Sequence, residues 1–170
     1  MRVGIITAGS DSPGVNAAIR GLGKAVANTR GMEVLGFRDG YLGLIEDRKV
    51  NLLEGTMLSG ILTQGGTILG TSRRLPELMP SPQGPVDRTQ EAIDSYHRNG
   101  LDALVIIGDN KSQLAAHHLS QAGLNIITMP KSCENDVPRT DKSIGFDTAR
   151  EIATQAIDRL HTNANATHRI

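Results

Sequence analysis

Three apolar runs rich in β-branched residues, each followed at once by a polar turn marked by glycine or proline, constrain this chain more than any other feature. Val3 to Thr7 runs into Gly9–Gly14, Leu104 to Ile107 into Gly108–Ser112, and Asn125 to Met129 into Pro130–Asp136. Continuous apolar runs of four to eight residues are the pattern of parallel strands buried on both faces, and a weaker run, Met32 to Phe37, reads as a fourth. In a parallel sheet the carboxyl ends of the strands share one edge. The three turns are therefore expected to converge on one crevice, the place where ligands bind in open α/β sheets.

Helical periodicity fills the intervals. Val15, Ile19, Leu22 and Val26 fall on one face, and Ile152, Ala153, Ala156, Ile157 and Leu160 on another. Pro13 suits a first helical turn and Asp147 an N-cap. A further helix over about Arg88–Arg98 has Asp87 and Gln90 at capping-box spacing and stops at Asn99 and Gly100. Strands alternating with helices predict a three-layer, mostly parallel, doubly wound α/β domain. At 170 residues a single domain over 1–170 is expected, with the proline-rich stretch Leu75–Pro85 as a surface loop.

The bulk properties narrow the partners. Eighteen basic and 18 acidic residues give a formal net charge of +0, without the positive field that nucleic acid or an anionic membrane surface needs. Aromatic residues are 2% of the chain, too few for base-stacking platforms. A lone cysteine, Cys133, excludes an internal disulfide framework. No run reaches the roughly 18 apolar residues of a membrane span, and the amino terminus enters a strand without signal-peptide features, so a cytoplasmic protein acting on a small neutral or anionic metabolite is expected.

The turns carry the chemistry. GSDSPG at Gly9–Gly14 opens a helix, so its N–H groups and the helix dipole suit a phosphate, although glycine turns of this kind also occur in α/β proteins that bind none. QGGTILGTSRR at Gln64–Arg74 brings two hydroxyls and two arginines, groups that hold polyphosphate or simply solvate a loop. Lys131, Ser132, Glu134, Asn135 and Asp136 cluster after the third strand, where a carboxylate could take a proton from a substrate hydroxyl and a lysine could neutralise phosphate charge. His117 and His118 are adjacent on one helix and cannot share a face, and they read as non-catalytic.

Together these segments resemble the 6-phosphofructokinase family. GSDSPGVNAAIRG is similar to the family's GGDxPGxNAxIRG opening, and FRDGYLGL, QGGTILGTSR, PKSCEND and GFDTAREIATQAIDRLHT follow in family order and spacing. The PKxxxND turn and the GFDTA helix look most like the group whose members use either ATP or pyrophosphate. The resemblance implies phosphoryl transfer in glycolysis to the 1-hydroxyl of fructose 6-phosphate, assisted by magnesium, in a homo-oligomer with sites shared between subunits. By position it implies donor binding at Gly9, Ser10, Arg73, Gly108, Asn110, Lys111, Ser112 and Lys131. Catalysis would fall to Ser132, Glu134 and Asp136, sugar-phosphate binding to Arg169, and the metal to Asn110.

Departures from the family pattern weigh against catalysis by this chain. Ser10 replaces a glycine, adding a Cβ where a positive φ is expected. The GGDGS or GGEDT turn is GDNKS, so the metal-holding acid becomes Asn110, and Asp109 could compensate only if the turn is redrawn. Lys111 stands where ATP users have glycine and pyrophosphate users aspartate, and Glu134 stands for the catalytic aspartate. The resemblance covers an amino-terminal half, which is expected to leave apolar surface for another protomer or a complete family member to cover. Two alternatives to an active enzyme are a non-catalytic nucleotide- or phosphate-binding module and a truncated relic.

Overall fold

The computed structural model describes residues 1–169 as an α/β domain around one six-stranded sheet, in the order β3-β2-β1-β4-β5-β6. β1 (Arg2–Ala8), β2 (Glu33–Phe37), β4 (Ala103–Gly108), β5 (Ile126–Ser132) and β6 (Ile144–Gly145) run parallel, and β3 (Lys49–Asn51) pairs antiparallel with β2. The helices are α1 (Val15–Ala27), α2 (Tyr41–Ile45), α3 (Thr89–Arg98), α4 (Asn110–Gln121) and α5 (Phe146–Thr167).

Side chains alternate across a strand, so each central strand feeds two cores. Leu104 and Ile106 of β4 join Ile6, Phe37, Tyr41, Ala116 and Leu119 in one cluster, beneath α2, α3 and α4. Val105 and Ile107 join Ile5, Val34, Val15 and Ile19 in the other, beneath α1. Burial on both faces explains why these strands are uniformly apolar. Strand order reverses between β1 and β4, the switch point at which the turns leaving two neighbouring strands diverge to opposite faces and open a crevice.

Several boundaries differ from the sequence reading. β5 continues through Pro130, Lys131 and Ser132, so the polar turn begins after Ser132 instead of at Pro130. Pro130 is tolerated because β6 pairs only from Lys131, leaving the proline at an outer edge where a missing N–H costs no ladder bond. Pro13 lies outside α1, whose N-cap is Gly14 at φ 85°. Asp147 sits inside the first turn of α5, accepting from Lys142 and Arg150, while Gly145 takes the cap position. At α3 the Asp87 carboxylate accepts the Thr89 N–H at 2.8 Å, but Gln90 turns to Asp94 and the reciprocal half of a capping box does not form. The proline-rich stretch is only partly a surface loop, since Pro76 and Met79 are buried. The apolar stripe of α5 is present but uncovered: Ile152, Ile157 and Leu160 are 59%, 67% and 65% exposed.

Tyr41 gives the fold an alkaline limit. Its side chain is fully buried and its hydroxyl donates to the Ser112 carbonyl at 2.7 Å, and burial, with the charges of Glu77 and Asp109, pushes its pKa far above the usual 10.0. A tyrosine that ionises only in the unfolded chain stabilises the fold fully below its unfolded pKa, and that stability is lost as pH rises beyond it. Denaturant titrations should therefore show Tyr41→Phe about 1 kcal/mol less stable at pH 8. Above pH 10 the variant should decline less steeply than the parent, by about 1.4 kcal/mol per pH unit.

Candidate functional site

Three turns build the floor and walls of one crevice. β1 ends at Ala8, and the chain turns at Gly9, where φ is 91° and a Cβ would lie 2.2 Å from an Asp109 carboxylate oxygen. This left-handed position requires glycine. Ser10 is not among the residues with positive φ, so the strain expected from its Cβ does not arise. The loop bearing Arg73 is stitched to this turn: the Gly9 N–H donates to the Ser72 carbonyl at 2.8 Å, and the Thr71 hydroxyl donates to the Gly9 carbonyl at 2.9 Å.

β4 delivers the second turn. Gly108 is required by packing, because a Cβ there would meet the Ser112 Cβ at 2.5 Å. Asp109 caps α4, its Oδ1 accepting from the N–H of Ser112 at 3.1 Å and from its hydroxyl at 2.8 Å. Asn110 and Lys111 are then the first two residues of the helix. β5 delivers the third turn, in which the Ser132 hydroxyl donates to Asp136 Oδ1 at 2.6 Å and accepts the Glu134 N–H at 3.0 Å. Asn135, at φ 54°, holds the turn from behind through Ser143 N–H at 2.8 Å.

The resulting cavity has a volume of about 340 Å³. Ser10 comes from the first turn, Asp109 to Ser112 from the second, Ser132, Glu134 and Asp136 from the third, and Arg73 and Leu75 from the intervening loop. The predicted convergence is thus realised, and the four altered positions Ser10, Asn110, Lys111 and Glu134 share one space. Arg169 lies beyond α5 and does not line it. Gly9 and Gly108 do not line it either.

Two expectations about anion binding are corrected. The N–H groups of the first turn are not all free, since that of Gly9 goes to Ser72 and that of Ser10 to Asp109 Oδ2 at 3.3 Å. Lys131 does not face the cavity. It is 1% exposed, its ammonium donating to the Ser10 carbonyl and, at 3.4 Å, to Thr71 Oγ1. Burial lowers its pKa, against the opposing pull of Asp109, Asp11 and Cys133. Lys131 therefore braces the wall from within.

Magnesium finds no charged ligand at Asn110, the position expected to hold it, and among the described residues the carboxylate oxygens left open in the cavity are those of Glu134 and one of Asp136. Mg²⁺ is usually bound through one or two carboxylates with open oxygens. Asn110 supplies an amide, both Asp109 oxygens are engaged by hydrogen-bond donors, and one oxygen of Asp136 is engaged by Ser132. Among the described residues, no group of three or more His, Cys, Asp or Glu side chains is arranged to hold a metal ion. The structure answers the question of Asp109 as well: it caps a helix. The sequence reading missed that role, although an acid three residues before Ser112 is a legible N-cap signal. It missed Leu75 as well, which carries no chemical signature.

Comparison with known proteins places the chain. The model of the family described as Phosphofructokinase matches residues 2–170. An ATP-dependent 6-phosphofructokinase of Propionibacterium freudenreichii is 54% identical over 100% of this chain and 45% of its own length. An ATP-dependent 6-phosphofructokinase 3 of Bacteroides thetaiotaomicron is 44% identical over 100% of this chain and 50% of its own. The chain spans about half the length of the curated relatives it matches. Among solved structures, phosphofructokinase from Saccharomyces cerevisiae superposes with a TM-score of 0.80 at 25% identity, over 97% of this chain and 24% of that one. The pyrophosphate-dependent enzyme of Nitrosospira multiformis shares the fold at a TM-score of 0.81 and 19% identity, over 97% of this chain and 42% of that one.

Proposed function

The chain belongs to the phosphofructokinase family, and from that premise we propose that its crevice is the phosphoryl-donor half of a site that phosphorylates the 1-hydroxyl of fructose 6-phosphate. One observation carries this reading: three strand-end turns and the Arg73 loop meet in a single cavity at the switch point of a parallel sheet. Arg73 and Lys111 supply cations for donor phosphates and Ser10 supplies a hydroxyl, that of Ser112 being buried and donated to Asp109. Glu134 takes the proton of the attacking hydroxyl as its oxygen bonds to the terminal phosphorus and the phosphorus–oxygen bond to the leaving phosphate breaks. The donor is ATP or pyrophosphate. The ATP-dependent names of the relatives favour ATP, and Lys111, absent from either donor's pattern, favours neither.

A second reading, binding without transfer, is favoured by Asn110, whose amide brings no charge to a metal, and by the longer stem of Glu134. A misplacement of about 1 Å can cost roughly a hundredfold in rate. The sugar-phosphate side, including Arg169, would be completed by a second protomer or a longer family member, in the cytoplasm. No helix of the described residues is long and apolar enough to cross a membrane.

Fructose 1,6-bisphosphate formation, assayed with fructose 6-phosphate, magnesium and either donor, tests both readings on material shown folded by circular dichroism. Turnover would establish transfer. Binding of donor without turnover is expected from the chain alone. Mixed with a complete family member whose own catalytic acid has been removed, the triple variant Asn110→Asp, Lys111→Gly, Glu134→Asp should exceed the parent by about a hundredfold or more, the scale of one well-placed catalytic group. An inert, folded triple variant in that mixture would show that the altered residues are not what limits the rate.

A further inference from the structure

Two turns of the crevice meet on one carboxylate. Asp109 stands at the start of α4, where unpaired N–H groups and the positive end of the helix attract an anion. Its Oδ1 already takes the Ser112 N–H and hydroxyl, at 3.1 and 2.8 Å, and its Oδ2 takes the Ser10 N–H from the neighbouring turn, at 3.3 Å. The group lies directly over Gly9, within 2.2 Å of where a Cβ would be. These are the donors that an entering oxyanion would use at this point, and a carboxylate of the chain holds them.

The surrounding charge acts in the same direction. Asp109, Glu134 and Asp136 line the cavity against Arg73 and Lys111, so three acids face two bases. The nearest additional cation, Lys131, is committed to the Ser10 carbonyl and Thr71 on the far side of the wall. A phosphate placed in the crevice must displace the Asp109 carboxylate or stand against its charge.

We propose that Asp109 is an internal anion seated where a donor phosphate binds, and that this residue sets the affinity of the crevice for phosphoryl donors. The proposal rests on reading the crevice as a donor site. Removing the carboxylate frees the Ser10 N–H, and serine at 109 still offers an N-cap oxygen to Ser112. Asparagine keeps the size, removes the charge and exchanges one accepting oxygen for a donating amide nitrogen.

Binding of pyrophosphate by calorimetry to the parent chain, Asp109→Ser and Asp109→Asn, in EDTA and again in magnesium, tests it. In EDTA, Asp109→Ser should bind at least tenfold tighter than the parent, with Asp109→Asn tighter than the parent as well. If Asp109→Ser does not fold, the asparagine variant alone decides. Parent-level affinity in folded variants overturns the proposal and leaves the donor-site reading standing. No pyrophosphate binding by any form in either medium overturns the proposal, and overturns the donor-site reading as well if ATP also fails to bind. Weaker binding by the variants in magnesium alone would make Asp109 a metal ligand and overturn the proposal.

Discussion

Gly43→Ala is expected to lower the unfolding free energy by about 3 kcal/mol or more, at the upper end of overpacking costs. A Cβ at position 43 would lie 1.6 Å from the Arg38 carbonyl oxygen, with the Arg38 carbonyl carbon and nitrogen at 2.7 and 2.9 Å. The obstacle is backbone, so no rotamer change relieves it. The only escape is to lift α2 from the sheet, which would draw the fully buried side chains of Tyr41 and Leu44 out of the core. Domains of this size are stable by roughly 5–15 kcal/mol, so the variant should unfold at a much lower denaturant concentration. A midpoint within error of the parent would show that α2 can shift freely.

Gly145→Ala should cost about 2–3 kcal/mol and, more tellingly, loosen the third turn of the crevice. Gly145 has φ 106°, where an L residue is strained by roughly 1–2 kcal/mol, and a Cβ there would lie 1.9 Å from Ser12 Oγ. Ser12 donates to the Ile144 carbonyl at 2.8 Å, so turning the serine aside also breaks a bond between β6 and the first turn. Gly145 pairs with Ser132. Disturbing it therefore shifts the residue that orients both Glu134 and Asp136. Hydrogen exchange should show faster exchange at the Glu134 amide in the variant than in the parent, with the β1 and β4 amides unchanged. Equal protection at Glu134 would separate β6 from the geometry of the third turn.

Both effects depend on glycines whose meaning differs in visibility. The strands were legible because burial on two faces forces an unbroken apolar run, and the crevice was legible because parallel strands must release their turns at one edge. Ser10, Asn110, Lys111 and Glu134 could be assigned to one space on topology alone. The short elements β3, β6 and α2 were not legible, since two to five residues carry too little periodicity to register. The helix starts were misread because glycine at 14 and at 145 takes the cap, which leaves Pro13, read as a first-turn residue, outside α1 and Asp147, read as an N-cap, inside α5.

The hydrogen-bond partners of the site lie beyond any local pattern. Lys131 reads as a phosphate contact in sequence because polar turns usually face solvent, yet β5 runs three residues further and turns its ammonium inward, toward Ser10 and Thr71. Asp109 reads as a displaced metal ligand, yet it caps α4 and reaches Ser10, 99 positions away. The sequence by itself determined the α/β class, through periodicity, and the family and the four altered positions, through motifs that resemble the family's in order and spacing. Only the tertiary structure decided which of the site's charges face the cavity and which are already spent on the protein's own backbone, because such pairing depends on distances between turns remote in sequence.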